Sequence, residues 1–550
     1  MTEEAFDYIV IGGGSVGSVL ASRISEDQDV SVLVLEAGGS DAHWTIRMPG
    51  GVRSHLKPAS DRNWHFETVE QPHLNNRRLY QPRGKVIGGT SSINGMVFLR
   101  GHPNDFECWA REGCKGWSYA DVLPYFKRLE TAEFGSDFYR GESGPVAVRR
   151  QKHLDLLSRA FLQAGHEAGF PFTDDVNGAQ QEGFCRLDMN VDRGVRASSG
   201  YAYLHRSRQR NNLIIRTHCL VERIAFEGNK ATTVHYRQGS KQKIVRSKRE
   251  IILSAGVFGS PQILQLSGLG PAEHLRSHGI DVVMDLPAIG ENLQDHLEVQ
   301  LQHKCTQDVT LNRHLRLDRM LKIGVEWFLF KSGVAARNQS NTGAFLRSNA
   351  SVMHPNIQFH FSPFCFSGNW DIRHDVNGYR IGSYALRPTS RGTVRLAGDD
   401  PALMPLIDPN YLSTPNDQQE IIEGFQLARD VMAQPAFKAF DAGETDPMPA
   451  GKSRKEIEAF IRQHASSAYH ATGTCKMGAE DDETAVVDPE ARVRGVSGIR
   501  VVDTSIIPNV PSSNPLAVAL MIGEKVADVI RGKAPLEPLR VPFKAAELAG

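Results

Sequence analysis

The chain has 550 residues, 40% of them apolar and 23% charged, the balance expected of a folded soluble protein. Its 63 basic and 63 acidic residues cancel, which argues against a nucleic-acid partner, since phosphates call for a basic excess. No run of 18 apolar residues occurs, so no bilayer-spanning helix is expected, and the seven cysteines contain no CxxC pair, so neither a disulfide framework nor a metal site is expected. The acidic start (Glu3, Glu4) lacks the basic region and long apolar stretch of a secretory signal, and a cytoplasmic location is the expectation. Fifty glycines is about 9% of the chain, above the usual ~7%. They cluster, which marks places where backbone turns tightly or approaches something closely.

In chain order, Asp7–Ile11 reads as a buried strand, Val19–Ile24 as a helix and Val30–Leu35 as a second strand. Gly12, Gly14 and Gly17 between them spell G-x-G-x-x-G, and Glu36 closes the second strand at the distance expected of an acid that binds a ribose hydroxyl. Gly12 permits the turn, Gly14 lets a pyrophosphate approach, and Gly17 lets helix and strand pack. Ser15 and Val16 complete the loop and Ala37 follows the acid. A rival reading takes Gly13-x-Ser15-x-Gly17 as a nucleophile elbow. It is rejected because only one strand precedes the motif and Glu36 then has no role. The motif alone leaves NAD and FAD open.

A second polar, glycine-rich stretch runs from Arg83 through Val86 to Gly88, Gly89, Thr90 and Ser91, then Asn94, Gly95, Met96 and Val97. Its amides and hydroxyls suit a pyrophosphate or a flat ring. Glu250–Gly256 reads as a strand entering a turn at Ala255 and Gly256, and Ser260–Gly270 as a short, glycine-capped helix. Ile499–Asp503 reads as another strand, followed by a helix from about Pro515 to Ile530. Strands at both ends and in the middle predict a discontinuous nucleotide-binding domain with a second domain inserted.

These stretches, with Asn292–His296, resemble the glucose–methanol–choline family of flavin oxidoreductases over roughly residues 5–532. The resemblance implies an α/β fold: a Rossmann-like FAD domain (1–150, 191–300 and 465–532) with an inserted antiparallel-sheet substrate domain (151–190 and 301–464) and a tail at 533–550. It also implies FAD rather than NAD. To the FAD site it adds Val221 beside the adenine, Tyr469 at the flavin edge, Asp503 and Thr504 near the ribityl or phosphate, and Pro515 and Leu516. Where some members carry a flavin-linking histidine this chain has Ile93, so the flavin is expected to be non-covalent.

His470 sits in a glycine–threonine turn and Asn514 precedes Pro515. The resemblance implies that they are the catalytic pair beside flavin N5. The chemistry suits them: an alcohol, with a pKa near that of water (~16), needs a base at neutral pH, and imidazole is the commonest one. An amide can hold the oxygen as charge develops. His296 is expected to be structural or flavin-proximal. Phe361–Phe366 and Trp370 are candidate pocket residues, Trp64 and Trp117 are read as structural, and no acid is assigned to a cationic substrate head. The strand-like pieces at 356–361, 382–386 and 392–396 predict an antiparallel sheet roofing the flavin. Segment 305–340, with Arg313, Arg316, Arg319, Lys322, Lys331 and Arg337, is read as a solvated helix face or an entrance loop.

The expected activity is oxidation of a primary alcohol to an aldehyde, the hydride passing to flavin N5 and the electrons to an external acceptor such as a quinone. The alternatives are an O2-using alcohol oxidase and, in another class, a lyase or photodecarboxylase on the same fold. An intact His470–Asn514 pair disfavours the photodecarboxylase. The natural alcohol, the oligomeric state and any peripheral membrane contact are left open.

Overall fold

Residues 5–11, 32–35 and 251–253 are almost continuously apolar, as strands covered on both faces must be. In the computed structural model, which describes residues 4–315, 317–338, 340–367, 371–372, 376–445 and 453–543, they form the centre of a parallel sheet. β1 (Ala5–Ile11) lies between β2 (Val32–Leu35) and the end of the long strand Lys241–Leu253. Leu213–Arg216 adds outside β2, and Ile499–Val501 adds beside Ile251–Leu253. The early half of Lys241–Leu253 pairs instead with Lys230–Gln238, which pairs with Cys219–Glu227 in an antiparallel meander. The sheet is therefore assembled from three separate stretches of chain, 5–35, 213–253 and 499–501.

The helices α1 (Ser15–Ile24) and Leu516–Ile530 pack on each other against this sheet. Leu516–Ile530 is buried on nearly every side, which accounts for its all-round apolar sequence. A Cβ on Gly523 would stand 2.9 Å from Cβ of Val19, so the absence of a side chain sets their separation. The helix after Leu253 runs Gly256–Leu266, starting four residues before the expected Ser260. Its early start comes from Asp503, whose carboxylate accepts from the Gly256 amide (2.9 Å) and the Ser260 hydroxyl. An acid at a helix N-terminus satisfies free amides and opposes the positive end of the dipole.

The second sheet is mainly antiparallel, in the order Asp441–Glu444, Leu297–Cys305, Gly378–Ala385, Ile357–Ser362, Thr342–Leu346, Gly183–Arg186. Three expectations are corrected here. The expected domain boundary at 300/301 falls inside the strand Leu297–Cys305, whose ladder with Gly378–Ala385 already includes Glu298. The piece at 392–396 is absent from this sheet, because Thr393–Arg395 pairs with Leu406–Asp408 instead. And the strands have two buried faces, not one. One face (Val299, Leu301, Ile357, Phe359, Phe361, Ile381) packs with Ile421, Ile422 and Phe425 of the helix Pro415–Met432. The other, carrying Glu298, His360 and Arg380, turns toward the cavity between the two sheets. Strand alternation sorts the two sets.

Gly17 holds the dinucleotide-type turn closed: a Cβ there would lie 1.9 Å from the Gly12 carbonyl oxygen. Gly17→Ala must push α1 off β1, and we expect a loss of about 2–4 kcal/mol in stability with a parallel loss of bound flavin. Thermal denaturation together with the visible absorbance of the purified protein checks this.

Candidate active site

One cavity of about 910 Å3 runs between the two sheets, at the upper end of what small-molecule sites enclose. Three glycine loops form its floor. Gly12 has φ +95°, as the tight turn requires. A Cβ on Gly14 would meet nothing nearer than 3.9 Å, and Gly95 and Gly256 face open space within 4 Å. The first turn of α1 has no side-chain cap, so its amides point into the cavity as an anion site. Glu36 lies beside them, its two oxygens accepting from Gly13 and Gly38 amides at 2.8 Å each. Burial pushes its carboxyl up, against the pull of those two amides.

The cavity is also lined by Ser15, Val16, Ala37, Arg83, Gly89, Thr90, Ser91, Asn94, Met96, Val97, Val221, Ala255, Tyr469, Asp503, Thr504, Pro515 and Leu516. Three of the expected residues stand off it. Val86 is fully buried with Ile46 and Ile93, and its backbone bridges Gly39. Gly88 turns away with φ +82° while its amide donates to the Gly13 carbonyl at 2.7 Å, tying the two loops together. Gly17 serves packing. Ile93 itself lines the cavity. Arg196, which sequence reasoning missed, is buried and donates to the backbone oxygens of Ile46, Ser91 and Asn94 and to Oδ1 of Asn94. Burial lowers its pKa to about 9.

At the far end His470 and Asn514 come together, Asn514 Nδ2 donating to His470 Nε2 at 2.9 Å. The hydrogen bonds around them fix every proton. The Leu386 carbonyl, which can only accept, lies 2.9 Å from His296 Nε2, so that nitrogen carries the hydrogen. Burial lowers the His296 pKa to about 4, so the ring is neutral and Nδ1 is bare. His470 Nδ1, 2.9 Å away, must then be the donor, which leaves on its Nε2 the lone pair that accepts from Asn514. On the other side Gln358 Nε2 donates to Asn514 Oδ1 at 3.3 Å and to His360 Nε2 at 2.8 Å. That turns the Asn514 amide so that its N–H group faces His470. Burial, then His296, His360 and Arg83, hold the His470 pKa well below the ordinary 6.5. The ring is therefore neutral at pH 7.

The segment Asn292–His296 earns its place here twice. His296 receives the proton of His470, and Asp295 Oδ1 accepts the His470 amide at 2.7 Å. The other oxygen of Asp295 is held by Tyr411, Ser467 and Gln81. Tyr384 stacks on His296, ring centroids 5.1 Å apart.

Glu298, His360 and Arg380 line the same cavity. Gly382 makes room for Glu298, because a Cβ there would stand 1.8 Å from Oε1. Burial raises the Glu298 carboxyl and Arg380 works against that. Phe364 and Phe366 also line the cavity, whereas Phe361 turns to the opposite face and stacks on Phe161 at 4.8 Å. Trp64, read as structural, is at the cavity wall, while Trp117 is buried and donates to the Pro489 carbonyl. Trp370 and Arg316 lie outside the described residues.

Over residues 6–298 and 388–523 the chain matches the GMC oxidoreductase family. The chain is a GMC oxidoreductase. It is 44% identical to the oxygen-dependent choline dehydrogenase 1 of Chromohalobacter salexigens, over 98% of this chain and 97% of that one. It is 45% identical to the oxygen-dependent choline dehydrogenase of Sinorhizobium fredii, over 96% of each. Among solved structures, pyridoxine 4-oxidase from Mesorbium loti aligns with a TM-score of 0.87 at 29% identity, covering 96% of this chain and all of that one. Membership makes this GMC oxidoreductase an FAD flavoprotein, and its cavity fits that cofactor. Open glycine faces and the bare N-terminus of α1 offer the pyrophosphate site, and Glu36 stands at the ribose position. Among its described residues no helix is long and apolar enough to cross a membrane.

Removing the acceptor of the His470 proton should let the imidazole take its other tautomer. In His296→Ala we expect kcat to fall by about 10²-fold or more with little change in KM. The acid limb of kcat/KM in the parent enzyme should lie below pH 6.5, since the lowered pKa keeps His470 neutral above it. Steady-state kinetics against pH checks both.

Proposed function

We propose that this enzyme oxidises a primary alcohol to an aldehyde with non-covalent FAD and passes the electrons to an external acceptor. The observation that supports it most is the neutral His470 whose unprotonated Nε2 accepts from the Asn514 amide at a cavity wall. When bound, FAD supplies the two-electron acceptor for the hydride that leaves the alcohol carbon. A hydroxyl entering between the two side chains donates to His470 Nε2 and accepts from Asn514 Nδ2. His470 takes the proton, and its charge is then shared along its hydrogen bond to His296. The Asn514 N–H stabilises the oxygen as it becomes an alkoxide, an effect on the order of 10²–10³ in rate. His470 is buried and Asn514 half-buried, which limits the access of water to the base. Ile93, at the position of a flavin-linking histidine in some relatives, has no atom able to make that bond, which supports a dissociable flavin.

Two features bear on the alcohol. The names of the relatives and the buried carboxylate of Glu298 support a cationic alcohol of the choline class. Arg380, on the same cavity wall, favours a second reading, an alcohol carrying a carboxylate. Choline, a neutral aliphatic alcohol and a short hydroxy acid, each assayed with a dye and with O2, separate these readings and identify the acceptor. If Glu298 is the counter-ion, Glu298→Gln raises KM for choline at least about 30-fold and leaves the neutral alcohol unaffected. If Arg380 is, Arg380→Gln does the same for the hydroxy acid. His470→Ala should keep its yellow colour while anaerobic flavin reduction by the preferred alcohol slows by at least about 10²-fold. An unchanged rate would remove His470 as the base. Acid should release the flavin; colour retained by the denatured chain would refute the non-covalent reading.

A further inference from the structure

The helix Leu317–Phe330 carries a second apolar stripe on the side that faces away from the protein. Trp327 is its anchor: nearly fully buried with Met48 and Ala335, it donates to the Gly194 carbonyl at 2.8 Å. Leu321, Val325, Phe328 and Leu329, at i, i+4, i+7 and i+8, are 71%, 49%, 52% and 68% exposed. That spacing is the signature of a helix face that packs against something, yet here it meets solvent. Trp44, half-exposed, extends the patch, its ring 5.5 Å from that of Phe328. Arg313, Arg319, Lys322 and Lys331 lie on or next to this helix in the chain, against Asp318 and Glu326, so a chain of zero formal net charge carries a local basic excess beside an exposed apolar stripe.

We propose that this face docks on an anionic phospholipid bilayer, the helix lying in the interface rather than crossing it. Exposed apolar side chains at helical spacing, flanking Lys and Arg, and a tryptophan at the edge are the elements by which interfacial helices hold to such surfaces. A second copy of the chain fits less well, since a two-fold contact would set each basic rim against itself. The position of the patch has a consequence. Met320, Phe328 and Trp44 are half-exposed and also line the cavity, so the cavity opens beside the docking face. The proposal rests on the alcohol-oxidising reading only in giving that placement a use, access from lipid for an apolar electron acceptor.

Co-sedimentation of the flavin-loaded enzyme with vesicles tests it. We expect binding to phosphatidylcholine vesicles containing phosphatidylglycerol, weaker binding at high salt, and little binding to phosphatidylcholine alone. The double substitution Leu321→Asp, Leu329→Asp, which replaces no cavity-lining residue, should lower the partition coefficient by about tenfold or more. Its alcohol-dependent reduction of a soluble dye should be unchanged. Failure of the parent enzyme to bind the anionic vesicles, or undiminished binding by the variant, would overturn the proposal. So would a dimer, seen by light scattering, that the substitution dissociates. Because vesicle binding is read without turnover, its failure is distinct from a failure to oxidise alcohols.

Discussion

A single direction of hydrogen bonding governs the active end of this molecule. The Leu386 carbonyl can only accept, and from that one fact the protons of His296 and His470 follow in turn. Approached from the other side, Gln358 orients Asn514, whose amide then donates toward His470. Both ends of the relay point at the same nitrogen. It is left with a lone pair in a site where burial, with His296, His360 and Arg83 adding to it, keeps the ring uncharged. In the proposed reaction this nitrogen takes the alcohol proton as a neutral imidazole. In that reaction the substrate oxygen enters between this nitrogen and the Asn514 amide.

The architecture brings these groups to one end of a common cavity. His296 and Glu298 enter with the strand Leu297–Cys305 and its preceding turn, His360 and Gln358 with Ile357–Ser362, and Leu386 just after Gly378–Ala385. They belong to the antiparallel sheet. His470 and Asn514 come from the chain that returns to the parallel sheet. Asp295 ties the two halves by holding the His470 backbone, and is itself gripped by Tyr411, Ser467 and Gln81. The His470–Asn514 geometry is thus set where the two sheets meet, while the glycine loops of the parallel sheet line the other end of the cavity.

What could be read from the sequence is what is local. The G-x-G-x-x-G turn, Glu36, and the strands feeding the parallel sheet are short-range patterns in which residue type and spacing carry the physics. His470 and Asn514 were legible only through resemblance, because nothing in the two segments shows that they meet across 44 residues. Arg196 was invisible, as its partners lie about a hundred or more residues earlier. Val86 was misplaced because a motif that winds past a cavity shows some of its side chains to the core instead. Glu298 and His360 were missed although a signal existed. Polar residues recur at every second position in 298–302 and 358–362, marking the strand face that does not join the core. The reading of a single buried face hid this, since a face covered by a cofactor cavity is buried yet tolerates charge.

The central claim is the protonation of one imidazole, and nitrogen NMR of the flavin-loaded enzyme carrying 15N-labelled histidine measures it directly. With His470 assigned by its loss in His470→Gln, the account predicts a neutral ring at pH 7 with hydrogen on Nδ1 and none on Nε2. A hydrogen on Nε2, alone or with Nδ1 also protonated, would contradict it.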